Sequence, residues 1–155
     1  MERSQESMMK HLRSLCQLDI DAVRAYSQAI EEIDVLEIAT KLTEFKTDHE
    51  RHISDLSALL REFGAPVPEH KTDLKGFFIE KFTAIRSKTG TGGALKAMRG
   101  NELLTTRAYS DALEDTSLVE RARELVRKNY SDEQRHLHYI EQAIAERVWE
   151  TRKAG

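Results

Sequence analysis

Two short stretches hold most of the residues with chemistry in them. Asp48-His49-Glu50-Arg51-His52 returns further along as Asp132-Glu133-Gln134-Arg135-His136. His49 stands three residues before His52, and Glu133 three before His136. Residues three apart share one face of a helix, so each pair can grip one ion or one polar partner. A second stretch is also duplicated. Arg24-Ala25-Tyr26-Ser27 recurs as Arg107-Ala108-Tyr109-Ser110, and an acid stands seven residues before each Tyr, at Asp19 and Glu102. Imidazoles and carboxylates hold metal ions, and they also pair with one another in buried polar layers.

Apolar periodicity supplies the helices that must position these groups. A first helix is predicted over about 4–33, with Leu12, Leu15, Ala22, Tyr26, Ala29 and Ile33 on its stripe and Asp19 among them. Asp34 followed by Glu37 reads as a capping box that opens a second helix. That helix carries Ile38, Leu42, Phe45, His49, His52, Leu56, Leu59 and Phe63, in steps of four and three. Gly64 ends it, and Pro66 and Pro68 forbid its continuation. In the following segment Leu74, Phe78, Phe82 and Ile85 predict a short helix, broken by Gly90-Thr91-Gly92-Gly93. The third helix, about 94–115, carries Leu95, Met98, Glu102, Thr105, Tyr109 and Ala112. Gly100 inside it costs about 1 kcal/mol against Ala, and is either tolerated or there to admit a close neighbour. Ser117 with Glu120 reads as another capping box. The fourth helix then presents Val119, Ala122, Val126, Asn129, Glu133, His136, Ile140 and Ala143, and runs to about Trp149. The expected fold is all-α: one domain over 1–155, an antiparallel four-helix bundle of two hairpins (4–63 and 94–150). A long crossover (64–93) with a short extra helix joins helices two and three.

Six polar residues interrupt the apolar stripes: Asp19, His49, His52, Glu102, Glu133 and His136. Burying any of them alone is costly, so they need partners or a metal. Distance from the turns says they can meet. Asp19 lies 15 residues before Asp34 and His49 lies 15 after it; Glu102 lies 15 before Ser117 and Glu133 lies 16 after it. Equal distances from a turn mean equal height in an antiparallel hairpin, here roughly 22 Å along the axis. Seven residues are nearly two turns, which places Tyr26 above Asp19 and Tyr109 above Glu102. A phenol there can hydrogen-bond a ligand carboxylate or serve as a plain core aromatic. The alternative to a metal is a metal-free layer of histidines hydrogen-bonded to acids.

Composition narrows the function. The 155 residues are 33% charged and 39% hydrophobic, with two Pro and seven Gly, which suits long amphipathic helices. A net charge of -3 gives no general pull towards nucleic acid or membranes, and the local basic excess over 71–107 reads as a solvated face. Cys16 is the only cysteine, so there is no intramolecular disulfide; one turn before Asp19, it reads as a small buried hydrophobe. His11, His70 and His138 miss the level of the cluster and read as surface groups. Phe77-Phe78-Ile79-Glu80-Lys81-Phe82 reads as a lid over one side of the bundle. No apolar run has the length of a membrane span, and the N-terminus lacks the apolar core of a signal peptide, so a cytoplasmic location is expected. No nucleophile–base pair or phosphate-cradling loop stands out.

This pattern resembles the ferritin-like superfamily of dinuclear carboxylate proteins, with one acid from each of two helices and Glu-x-x-His from each of the other two. The acid-to-Tyr spacing and the long crossover are similar to those of bacterioferritin-like and rubrerythrin-like chains. The resemblance covers almost the whole chain, and small bacterial ferritin-like bundles of uncharacterised function are nearest in size. It implies iron, as one or two ions, with zinc or manganese as alternatives, and iron- or peroxide-linked oxidation. It makes Asp19 and Glu102 terminal ligands, Glu133 a bridging carboxylate, and His52 and His136 terminal nitrogen ligands. The chain departs from the pattern at His49, where the second bridging Glu belongs. A neutral imidazole has one lone pair and cannot bridge as a carboxylate does. An asymmetric pair, a single ion, or a nitrogen-richer Zn or Fe(II) site follows. Metal ions are thus the expected partners, and a homo-oligomer is compatible with the pattern. The competing expectation is a non-catalytic, stress-related structural or interaction bundle whose polar layer fixes helix register.

Overall fold

The computed structural model describes residues 2–69 and 77–153, with the backbone path alone for 77–89 and 151–153. The chain forms α1 (Glu2–Glu31), α2 (Leu36–Glu62), α3 (Phe77–Leu113), α4 (Glu120–Ala145) and the short α5 (Val148–Lys153), with no strand among the described residues. Four long helices pack as an all-α bundle, as the periodicity predicts. None of the described helices is long and apolar enough to cross a membrane.

Side-chain pairs give the helix directions. Tyr26 meets Phe45 while Cys16 meets Ser57, so α1 and α2 are antiparallel. Tyr26 meets Glu102 while Asp19 meets Tyr109, so α1 and α3 are antiparallel. Phe45 meets Tyr139 while His52 meets Asp132, and the same holds for α2 and α4. Two helices each antiparallel to α1 are parallel to one another. The chain between α2 and the bundle part of α3 must therefore return the length of the bundle, which is why the crossover is long.

Two apolar clusters fill the interior. One contains Met8, Leu12, Leu15, Leu56, Leu60 and Val126; the other contains Ala29, Ile38, Leu42, Phe45, Leu95 and Ile140. Burying a Leu or Ile side chain contributes about 1.5–3 kcal/mol. The six polar residues occupy the level between these clusters.

Helix ends depart from the sequence reading in several places. Neither capping box forms. The N-cap residues are Val35 and Val119, without side-chain cap hydrogen bonds. Asp34 instead accepts from Thr91 Oγ1 at 2.7 Å, and Ser117 Oγ donates to Asp115 Oδ1 at 2.6 Å. In both cases a better-placed partner outside the helix takes the capping group. Gly64 does cap α2 as expected. Its φ of 69° lets Ala65 N–H reach Leu60 O at 2.9 Å and Gly64 N–H reach Arg61 O at 3.0 Å, a Schellman ending. The crossover helix and the third helix form one run kinked at Gly90, whose φ of 58° and ψ of -138° suit only glycine. The helix resumes there, earlier than Ala94. The fourth helix stops at Ala145 rather than near Trp149, and a turn through Arg147 leads into α5. Trp149 then packs on Gly92, where a Cβ would lie 2.9 Å from the ring. Gly100 has nothing within 4 Å of a Cβ position, so it is tolerated rather than used. His70 and Leu74 lie outside the described residues, and the lid read from 77–82 rests on side chains that also lie outside them.

Candidate metal centre

All six polar residues meet at mid-bundle, and each is 0% exposed. α1 supplies Asp19, α2 supplies His49 and His52, α3 supplies Glu102, and α4 supplies Glu133 and His136. Their heights agree with the turn arithmetic. Asp19 Oδ1 lies 2.6 Å from His49 Nδ1 and 3.1 Å from His52 Nδ1. Glu102 Oε1 lies 3.1 Å from His49 Nε2 and 3.5 Å from His136 Nδ1. Glu133 sits between the halves, with Oε1 3.3 Å from His49 Nδ1 and 3.4 Å from His52 Nδ1, and Oε2 3.7 Å from His136 Nδ1. Two donor sets result. One is Asp19, His49, His52 and Glu133; the other is His49, Glu102, Glu133 and His136; the ligand atoms within each set lie within 4.8 Å of one another. Glu133 and His49 belong to both.

The tyrosines are buried beside the cluster, but each serves the acid on the facing helix. Tyr26 donates to Glu102 Oε1, and Tyr109 donates to Asp19 Oδ2 at 2.6 Å. The expected pairings of Tyr26 with Asp19 and Tyr109 with Glu102 do not form. Seven residues separate Cα atoms on one helix by about 10.5 Å along the axis. A phenol on the core-facing stripe leans back one turn and crosses the bundle, so it reaches the opposite helix before its own acid. Asn129 Nδ2 donates to the Tyr109 hydroxyl at 3.2 Å, and Thr105 Oγ1 donates to Glu133 Oε2 at 3.1 Å.

Two aspartates complete the centre. Asp132 Oδ2 faces His52 Nε2 at 2.9 Å, and Asp48 Oδ2 faces His136 Nε2 at 2.8 Å. Arg51 donates to Asp132, and Arg135 donates to Asp48 at 2.7 Å. An imidazole that donates Nε2–H to a carboxylate presents its Nδ1 lone pair on the other side. Here that side is the cluster. The sequence reading missed Asp48 and Asp132, although the signal was present: both open the duplicated stretches, one residue before His49 and Glu133.

A family model described as "Domain of unknown function (DUF2383)" matches residues 7–115. The chain belongs to this family. The match takes in Asp19, His49, His52 and Glu102, while Glu133 and His136 of α4 lie beyond it. No curated protein and no solved structure matches the chain.

Charge in the centre of this DUF2383 chain is balanced by mutual pairing. Burial alone would lower the His52 pKa, but Asp132, Asp19 and Glu133 hold it at about 10. Burial acts the same way on His136, and Asp48, Glu102 and Glu133 raise it to about 9. His49 is held well above its ordinary value, against burial, by Glu133, Asp19 and Glu102. Of the two facing glutamates, burial and the neighbouring Glu102 push Glu133 up. Glu102 is held down, against burial, by its neighbours Glu133, His136 and His49. Burial and the adjacent carboxylates push both Tyr26 and Tyr109 up, so the phenols stay protonated and donate.

The donor set suits a divalent transition metal or zinc, with nitrogen and oxygen ligands in nearly equal number. Two cluster atoms also point to such a use. Glu133 Oε1 and His136 Nδ1 are buried and make no hydrogen bond, a cost that a bound cation would relieve. Outside the centre, Cys16 is buried with Sγ 3.7 Å from Ser57 Oγ, as expected of a small core residue. His138 is exposed, and His11 lies at the surface with its Nδ1 paired to Asp115 Oδ2 at 2.6 Å.

Proposed function

We propose that this DUF2383 protein is a metal-binding bundle of ferritin-like type, with a dinuclear-type carboxylate–histidine centre at its core. The single observation that carries the reading is the pair of buried four-residue donor sets that share Glu133 and His49. Asp19 and His52 belong to one position, Glu102 and His136 to the other, and Glu133 has an oxygen for each. Tyr109 and Tyr26 orient the terminal carboxylates, and Asp132 and Asp48 orient the terminal imidazoles. Iron is the ion proposed, with zinc or manganese as alternatives, and a cytoplasmic location belongs to the same reading. Bound iron would supply oxygen- or peroxide-linked oxidation, inside a layer whose ligands are sealed from bulk water.

One observation favours a second reading. Every histidine of the cluster already lies within salt-bridge distance of a carboxylate, so the layer can exist without metal as a register-fixing polar network.

Elemental analysis separates the two. Protein purified without chelator is reconstituted anaerobically with Fe(II), Mn(II) or Zn(II). The proposed function expects bound ions that disappear in the Glu133→Ala, His136→Ala double variant. No ion under any condition would leave the metal-free layer as the function of these residues.

A further inference from the structure

His49 lies across the centre with one ring nitrogen in each donor set. Its Nδ1 faces Asp19 Oδ1 at 2.6 Å and Glu133 Oε1 at 3.3 Å, while its Nε2 faces Glu102 Oε1 at 3.1 Å. The ring is 0% exposed and packs between Tyr26 and His136, with centroids 5.3 and 5.2 Å away. It therefore cannot serve one position by swinging clear of the other. We propose that His49 couples the two metal positions, so that filling either one opposes filling the other. The inference rests on the reading of the cluster as a metal centre.

The reason is the count of lone pairs. Glu133 has two carboxylate oxygens and can serve both sets. A neutral imidazole has one lone pair, and its other nitrogen carries a hydrogen. When Nε2 ligates an ion held with Glu102, Glu133 and His136, the hydrogen stays on Nδ1 and is donated to Asp19. When Nδ1 ligates an ion held with Asp19, His52 and Glu133, the hydrogen stays on Nε2 and is donated to Glu102. Each filled position thus plants an N–H in the other set. It withdraws a nitrogen ligand there and ties up a terminal carboxylate. Coupling of this kind is reciprocal.

The distances also rank the two positions. The Nδ1 contact to Asp19 is 2.6 Å against 3.1 Å for Nε2 to Glu102, so the stronger hydrogen bond is kept when Nδ1 holds the hydrogen. The first ion goes to Glu102, Glu133, His136 and His49 Nε2. His136 Nδ1, which makes no hydrogen bond, belongs to that set.

Calorimetric titration of the full chain with Zn(II) alone, a redox-silent probe, tests this. The expected result is one tight ion per chain, with the second weaker by more than about tenfold or not taken up. Glu102→Gln should act mainly on the tight step, and Asp19→Asn mainly on the weak one. His49→Ala removes the shared ring but leaves the repulsion between two cations, so the gap between the steps should narrow without vanishing. His49→Glu puts two oxygens in its place and should also narrow it, which keeps the test intact if one variant fails to fold. Two equivalent ions in the unaltered protein, lost in Glu133→Ala, would overturn the coupling and leave the metal centre standing. An unchanged gap in the His49 variants would do the same. No zinc bound at all would overturn the metal centre itself, and the coupling with it.

Discussion

Asp48 and His136 face each other across the α2–α4 seam, with Oδ2 of the one 2.8 Å from Nε2 of the other. Asp132 and His52 repeat the contact in the opposite sense at 2.9 Å. Each hairpin therefore orients the histidine of its partner hairpin. Asp48→Asn should lower metal affinity about 10–100-fold, because an amide fixes neither the tautomer nor the basicity of His136 as the carboxylate does. Glu50→Gln, an exposed change on the same helix, should leave affinity unaltered. Competition with a chromophoric chelator reads both.

The pH dependence has a definite sign. His52 and His136 have folded-state pKa values of about 10 and about 9, against 6.5 for a free histidine. Raised values mean that their stabilising charge is fully present below the unfolded pKa and is lost as pH rises through the folded ones. Thermal melts of the metal-free protein should fall between pH 6.5 and pH 10. Metal uptake must displace the same protons, so affinity should rise across that window and proton release should accompany binding.

Tyr109 donates to a carboxylate that is fully buried. A hydrogen bond to a charged group contributes about 1.5–3 kcal/mol, so Tyr109→Phe should destabilise the metal-free protein by that order. Chemical denaturation in the presence of chelator measures it. Tyr26→Phe should behave alike at Glu102, which would show that the tyrosines serve the facing helices as a matched pair.

Asp115, between α3 and α4, contributes to the acid limb of the stability profile. Burial would raise the Asp115 pKa, but the Ser117 hydroxyl and N–H, His11 and Ser7 bring it down to about 2 from 3.8. A depressed value contributes stability that is present above the unfolded pKa and lost as pH falls through the folded one. Asp115→Asn should therefore flatten the acid limb of the stability profile between pH 3.8 and about 2.

Gly92→Ala reports on α5. The added Cβ would lie 2.9 Å from the Trp149 ring, which must move. Trp149 is the only tryptophan, so its fluorescence should shift to the red as the ring leaves its seat. Metal stoichiometry should stay the same, since the centre lies far along α3 at Glu102.

The sequence by itself determined where the four long helices run, to within a few residues, and that six polar side chains share one level. Those properties depend on period and on distance from a turn, and both are one-dimensional quantities. Asp19 and His49 at 15 residues from Asp34 had to meet once the hairpin closed. The Gly64 ending was equally legible, because a positive φ beside two prolines has few alternatives. Only the tertiary structure decided the partners. Tyr26 with Glu102 and Asp48 with His136 join different hairpins, and Asp34 with Thr91 joins the first hairpin's turn to the start of the bundle part of α3. In a chain of two related halves, spacing is satisfied as well within a hairpin as between hairpins. The choice is made by which helix faces which, and by how far a side chain reaches across the bundle axis. The same holds for His49. Its spacing places an imidazole on the core stripe, but only the packed bundle aims one nitrogen at Asp19 and the other at Glu102.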